Sequence, residues 1–168
     1  MNNLAGFYKG QGKYEQAETL YMRGIAIQER QLGSLHPETA QGLNNLAELY
    51  RVQKKYEQAR PLYEQALSIR EQLLGLGHLD TARLLHNLAG FYHDQSKYEQ
   101  AEPLLVRALA IMEQRLGPGH PETFITLNNL ATLYQVQKKY EQAETLYERM
   151  LATREQTLGL LHPDTVTE

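Results

Sequence analysis

No cysteine occurs in the 168 residues. Disulfides and thiolate metal sites are therefore excluded, and the chain suits a reducing compartment. No apolar run reaches the roughly 18 residues that a membrane-spanning helix needs. The opening "MNNLAGFYKG" lacks the basic and apolar regions of a secretory leader. A basic excess is also missing: the formal net charge is −3, which argues against nucleic-acid binding. There is no glycine-rich phosphate loop, no nucleophile elbow and no set-apart pair of carboxylates. These absences leave a soluble cytoplasmic protein that is not an enzyme, holds no cofactor, and binds neither membrane nor nucleic acid.

What is present is a repeat. "KYEQA" begins at Lys13, Lys55, Lys97 and Lys139, and "NLA" at Asn3, Asn45, Asn87 and Asn129, so the period is 42. Residues 32–73 and 116–157 agree at 28 of 42 positions, which fixes the register without gaps. Within a period the apolar spacing is helical. Leu43, Leu46, Ala47 and Tyr50 line one face; Ala59, Leu62, Tyr63, Ala66, Ile69 and Leu73 line a second. "QKK" at 53–55 is the turn between them, so each period is a helix pair. The whole chain reads as one repeat domain: 1–31 a partial first repeat, then 32–73, 74–115 and 116–157, with 158–168 starting another.

Helix boundaries carry their own chemistry. Gly33, Gly75, Gly117 and Gly159 follow the second helices, where glycine is expected to take a left-handed cap conformation. Pro37, Pro121 and Pro163 suit a first helical position, and Glu38, Asp80, Glu122 and Asp164 place an acid at the positive helix end. Leu79 replaces the proline in the third period, where the same helix start is expected. Pro61 and Pro103 fall about a turn into the second helix, tolerable if early and a kink if deep.

Small residues recur where helices must approach: Ala5, Ala47, Ala89 and Ala131, then Ala17, Ala59, Ala101 and Ala143. The eleven tyrosines form three columns that begin at Tyr8, Tyr14 and Tyr21 and read as packing. The order Leu43, Leu46, Ala47, Tyr50, Ala59, Tyr63, Ala66 resembles the tetratricopeptide repeat, in a 42-residue variant similar to kinesin light chain and related bacterial arrays. The usual period is about 34 residues; here the second helix is longer and an "LGxxHPxT" connector is added. Tryptophan never fills the large first position, the usual closing proline is absent, and Gly24 and Met150 stand for the last alanine. The resemblance implies an all-α solenoid of antiparallel helix pairs with a right-handed superhelical twist, and protein–protein scaffolding through a concave groove.

Helix phase picks out the groove positions. At about 100° per residue, Asn45 falls almost opposite the core face, together with Gln41, Glu48 and Val52. Asn3, Asn87 and Asn129 take the same place in the other periods. Asparagine is a mediocre helix former that competes for backbone hydrogen bonds, so the fold does not require it there. A ladder of carboxamides, each both donor and acceptor, could grip an extended peptide backbone; the alternative is that each amide bonds a neighbouring helix or water. The resemblance implies the peptide-binding role. Selectivity would come from varied neighbours: Lys9, Arg51, Arg83, His86 and His93 against Glu48 and Asp94. Their slightly basic balance weakly favours an acidic peptide. The full arrangement of a carboxylate clamp is not present. The second asparagines, Asn2, Asn44 and Asn128, sit at the flank and read better as interhelical hydrogen bonders.

His36, His78, His120 and His162 recur once per period. Zinc needs ligands converging within a few ångströms, whereas repeats stand about 10 Å apart, so these residues read as helix starts and not as a metal site. Finally, Glu168 is in phase with Met1. The tail "HPDTVTE" of one molecule and "MNNLAGFY" of another are expected to be able to complete one helix, stacking molecules head to tail.

Overall fold

A computed structural model describes residues 2–159, with side chains through residue 156. Among the described residues there are eight helices and no strand: α1 (Asn2–Gly10), α2 (Tyr14–Leu32), α3 (Pro37–Val52), α4 (Tyr56–Leu74), α5 (Leu79–Asp94), α6 (Tyr98–Leu116), α7 (Pro121–Val136) and α8 (Tyr140–Gly159). First and second helices alternate as the repeat requires. The chain forms two compact units, Met1–Phe91 and Tyr92–Glu168. In the first, α1 packs on α2, α2 on α3 and α3 on α4; in the second, α6 packs on α7 and α7 on α8.

The alanine columns are the points of closest approach. Ala5, Ala17, Ala47, Ala59, Ala89, Ala101 and Ala131 have no exposed surface. The apolar stripe of α3 is wider than one face, because α2 and α4 both cover it. Leu49 is wholly buried although its phase lies well off the Leu43 direction; its burial contributes about 2 kcal/mol. Leu73 departs from expectation and is exposed, while Arg70 occupies the buried face of α4 beside Ile69. Gly42 lets α3 close on α2: a Cβ there would sit 2.9 Å from Ile25 Cγ1.

The end of each first helix is a Schellman motif. Lys54 N–H donates to the Arg51 carbonyl at 2.9 Å, and Lys55 N–H to the Tyr50 carbonyl at 2.9 Å. The same pair of bonds recurs at Gly12 and Lys13, Ser96 and Lys97, and Lys138 and Lys139. The motif demands positive φ at its first residue, and Lys54, Ser96 and Lys138 adopt it at 59°, 59° and 61°. The glycines after the second helices behave differently from expectation. Gly33, Gly75 and Gly117 do have positive φ, but ψ is 160°, 165° and 162°, outside the left-handed helical region. That extended, positive-φ region is open essentially to glycine alone. Gly159 is the last residue of α8 instead of a cap beyond it.

The connector motif is explained by two hydrogen bonds. His36, His78 and His120 each accept, through Nδ1, the N–H of the acid two residues on, at 3.2, 3.1 and 3.2 Å. They are side-chain N-caps, and the third period starts its helix the same way without proline. Thr39 and Thr81 are fully buried and donate Oγ1–H back to the Gly33 and Gly75 carbonyls at 3.0 and 3.1 Å, tying helix start to glycine turn. His162, Pro163 and Asp164 lie outside the described residues. α4 and α6 run unbroken through Pro61 and Pro103. Each proline removes one N–H from the second turn; in the other periods Thr19 and Thr145 hydroxyls bond to the Glu15 and Glu141 carbonyls at 2.9 Å.

Candidate functional site

From Gln41 to Val52 on α3, the residues left unburied are Gln41, Asn45, Glu48, Arg51 and Val52. Helical phase put them there: the other positions in this span are buried. On α5 the stripe continues with Arg83, His86, Asn87 and Gly90, and on α1 with Asn3 and Lys9. All of these lie in the first unit. Asn129, exposed on α7, belongs to the second, as does His93, whose ring stands 5.5 Å from that of Tyr98.

Arg70 organises the α3–α5 part of this face from below. It is only 5% exposed, and its guanidinium pairs with Asp80 at 3.2 Å and donates to Gln41 Oε1 at 2.6 Å. Burial pushes its pKa down, and the Asp80 carboxylate partly opposes that. An arginine can only donate, so the Gln41 oxygen is committed to it. Gln41 Nε2 therefore faces the other way and donates to Asn45 Oδ1 at 2.9 Å. That in turn leaves the Asn45 NH₂ directed as a donor away from Gln41. One repeat on, Asn87 Nδ2 donates to Asn44 Oδ1 at 3.1 Å, so Asn87 holds its carbonyl oxygen in reserve. Asn44 is buried and makes the interhelical bond expected of its column; Asn128 in the same column is exposed.

The charged residues are largely engaged with one another. Glu48 accepts from Arg51 Nη2 at 3.1 Å and from the buried Tyr63 hydroxyl. Burial, followed by the Glu48 charge, drives the Tyr63 phenol far above its usual range. Arg51 lies against Gly90, where a Cβ would stand at ordinary van der Waals distance, 3.6 Å from Nη1. Arg83 pairs with Asp80 at 3.0 Å, putting two arginines on one carboxylate. The basic balance read from sequence is thus mostly neutralised inside the face. Spacing did not reveal the Arg70 relay. Its signal was an arginine in the apolar stripe Ala59, Tyr63, Ala66, Arg70 of a second helix.

Among the described residues no group of acids and histidines could hold a metal ion, and no helix is long and apolar enough to cross a membrane. No protein of curated function matches the chain in sequence. Solved structures do. The BtubC (BKLC) protein of P. vanneervenii is 25% identical, with a TM-score of 0.85 over 94% of this chain and 63% of its own. A Podosopora anserina kinesin light chain of nearly identical TPR-like repeats is 29% identical, with a TM-score of 0.86 over 98% of this chain and 78% of its own. Pseudomonas aeruginosa PilF is 25% identical, with a TM-score of 0.69 over 90% of this chain and 59% of its own. The chain thus spans less than two thirds of the length of BtubC and of PilF. The family model of the tetratricopeptide repeat matches residues 1–72, 80–156 and 122–167. With helix pairs, alanine approach points and aromatic columns in the same register, the chain belongs to the tetratricopeptide repeat family.

Proposed function

We propose that the exposed face of the first helices binds extended segments of partner proteins, with the asparagines gripping the peptide backbone. The tetratricopeptide repeat is a protein-interaction fold, and this reading assigns the interaction to named residues. One observation carries it: Arg70 and Gln41 orient Asn45 as a donor, while Asn44 orients Asn87 as an acceptor. An extended peptide displays alternating carbonyls and N–H groups, so a donor and an acceptor on successive repeats suit its backbone and not its side chains. Asn3 and Asn129 extend the same column within their own units. Lys9, Glu48, Arg51, Arg83 and His86 flank it within the first unit and supply selectivity, as His93 does within the second. Because Glu48 and Arg51 satisfy each other, discrimination rests on shape and hydrogen bonding more than on net charge.

Asn45→Ala is the cleanest test, since Asn45 is only half-buried and its one bond is to exposed Gln41. Losing one hydrogen bond of about 1 kcal/mol should weaken capture from a peptide array about fivefold with unchanged far-ultraviolet circular dichroism. If peptides that bind the native chain bind the helical variant equally well, the asparagine column is not the grip.

A further inference from the structure

One buried tyrosine of the first unit lacks the carboxylate that its counterpart one repeat on retains. On α3 and α4, Glu48 accepts from the buried Tyr63 hydroxyl and pairs with Arg51 at 3.1 Å. Counted 42 positions back, the same three columns hold Gly6 and Lys9 on α1 and Tyr21 on α2. The hydroxyl and the cation are kept, and the acid between them is replaced by glycine. Glu48, Arg51 and Tyr63 belong to one helix pair, and so do Gly6, Lys9 and Tyr21. The comparison is therefore made within a pair.

The local geometry is kept. Tyr21 is 4% exposed, and its hydroxyl is the nearest atom of another helix, 3.7 Å from where a Cβ on Gly6 would stand. A carboxylate reaching that place meets the phenol, as the Glu48 carboxylate meets Tyr63. The Tyr21 hydroxyl has no hydrogen-bond partner among the described residues, and a buried polar group without one is costly. Burial alone raises its pKa, whereas at Tyr63 the Glu48 charge adds to burial. Lys9 stands one turn on from Gly6, as Arg51 does from Glu48. It is half-buried and has no acidic partner among the described residues. Glu48, on the next first helix, is already held by Arg51 and Tyr63.

The other periods resolve the same loss differently. In the third, Gly90 again replaces the glutamate, but Leu105 replaces the tyrosine, so no hydroxyl is stranded. In the fourth, Thr132 replaces the glutamate, and Tyr147 donates instead to Gln135 Oε1 at 3.1 Å. Gln135 stands in the Lys9 column. A lysine can donate but cannot accept, so Lys9 cannot do for Tyr21 what Gln135 does for Tyr147. The first period thus keeps two donors, the Tyr21 hydroxyl and the Lys9 ammonium, around a glycine notch that offers no side-chain acceptor.

We propose that Gly6, Lys9 and Tyr21 form a subsite for a carboxylate side chain of the bound peptide, which accepts from the Tyr21 hydroxyl and pairs with Lys9 as Glu48 does with Tyr63 and Arg51. The proposal rests on the peptide-binding reading above and adds one selected side chain to it. The asparagines hold backbone; this subsite reads an acid. Both of its contacts are charge-assisted, which is what separates a carboxylate from a carboxamide of the same shape. Glutamate suits it better than aspartate, because the peptide backbone must stay clear of α1 while the carboxylate reaches a buried hydroxyl.

Capture of peptide pools on the immobilised full chain tests this. The probes are random peptides from which acids are excluded except at one central position, fixed as Glu, Asp or Gln. The native chain should retain the Glu pool about tenfold better than the Gln pool, with the Asp pool between them. Tyr21→Phe and Lys9→Met should each cut that ratio to about threefold. Gly6→Glu supplies the carboxylate from the chain itself and should abolish the preference. Circular dichroism should show every variant as helical as the native chain. A Glu-to-Gln ratio near one in the native chain overturns the subsite, and so does a ratio that Tyr21→Phe and Gly6→Glu leave unchanged; in both cases peptide capture itself stands. Asn45→Ala should weaken all three pools alike, so the backbone grip and the acid subsite fail separately. If no pool is captured, both fall.

Discussion

Replacing Arg70 by alanine should destabilise the first unit by about 2–3 kcal/mol. The figure comes from two parts. Truncation removes two buried methylenes, worth about 1.5 kcal/mol at 0.8 kcal/mol each. It also removes the charged hydrogen bond to Gln41 and the pair with Asp80, together worth about 1–2 kcal/mol. The larger penalty for stranding a buried partner does not apply in full, because Asp80 is 38% exposed and keeps Arg83. Release from an environment that already lowers the arginine pKa offsets a little more. Arg70→Met separates the two parts. It keeps the stem's packing without burying a charge, and should lose about 1 kcal/mol or less. Urea unfolding followed by circular dichroism gives both values from the shift in midpoint at constant slope. If Arg70→Ala unfolds within about 0.5 kcal/mol of the native chain, the arginine is not what holds α3, α4 and α5 together. If the methionine variant is as unstable as the alanine one, packing is not the larger part and the accounting is wrong.

Two further predictions concern other parts of the fold. Lys54→Gly, Ser96→Gly and Lys138→Gly should each stabilise by roughly 0.5–1 kcal/mol, because an L-residue at positive φ costs about 1–2 kcal/mol and glycine gives part of that back as chain entropy. Gly12→Ala should do the reverse, and thermal melts of the four variants would show it. Tyr50 should make stability fall at high pH. Burial first, and then the hydrogen bond and charge of Glu18, push its phenol from 10.0 to about 12. The folded state thus keeps a proton that the unfolded state releases, so the contribution is intact below pH 10.0 and is lost as pH rises through about 12. Tyr50→Phe should flatten that decline in a urea series from pH 9 to 12; an unchanged slope would contradict the assignment.

Much of the architecture was legible because the same instruction is written four times. A period of 42 with alanines and tyrosines at helical spacing leaves little freedom in where helices begin, end and touch. The outward phase of Gln41, Asn45, Glu48 and Val52 followed from 100° geometry alone. Local chemistry was partly legible. Histidine before proline and acid marked the helix starts, but that its Nδ1 is the cap acceptor required seeing the N–H two residues on. The glycines announced a turn, but not whether ψ would be left-handed or extended. Lys54 and Lys138 gave no hint of positive φ, because the Schellman hydrogen bonds impose it on whatever residue stands there.

By itself, then, the sequence determined the helix pairs, their register and the side of each first helix that meets solvent, since each depends on spacing along one chain. Only the tertiary structure decided how the polar groups are spent. Glu48 meets Tyr63, Arg70 meets Gln41 and Asp80, and Asn87 meets Asn44 across 10 to 43 residues. Hydrogen bonds are short and directional, so which carboxamide becomes a donor and which an acceptor depends on neighbours that no periodicity brings together.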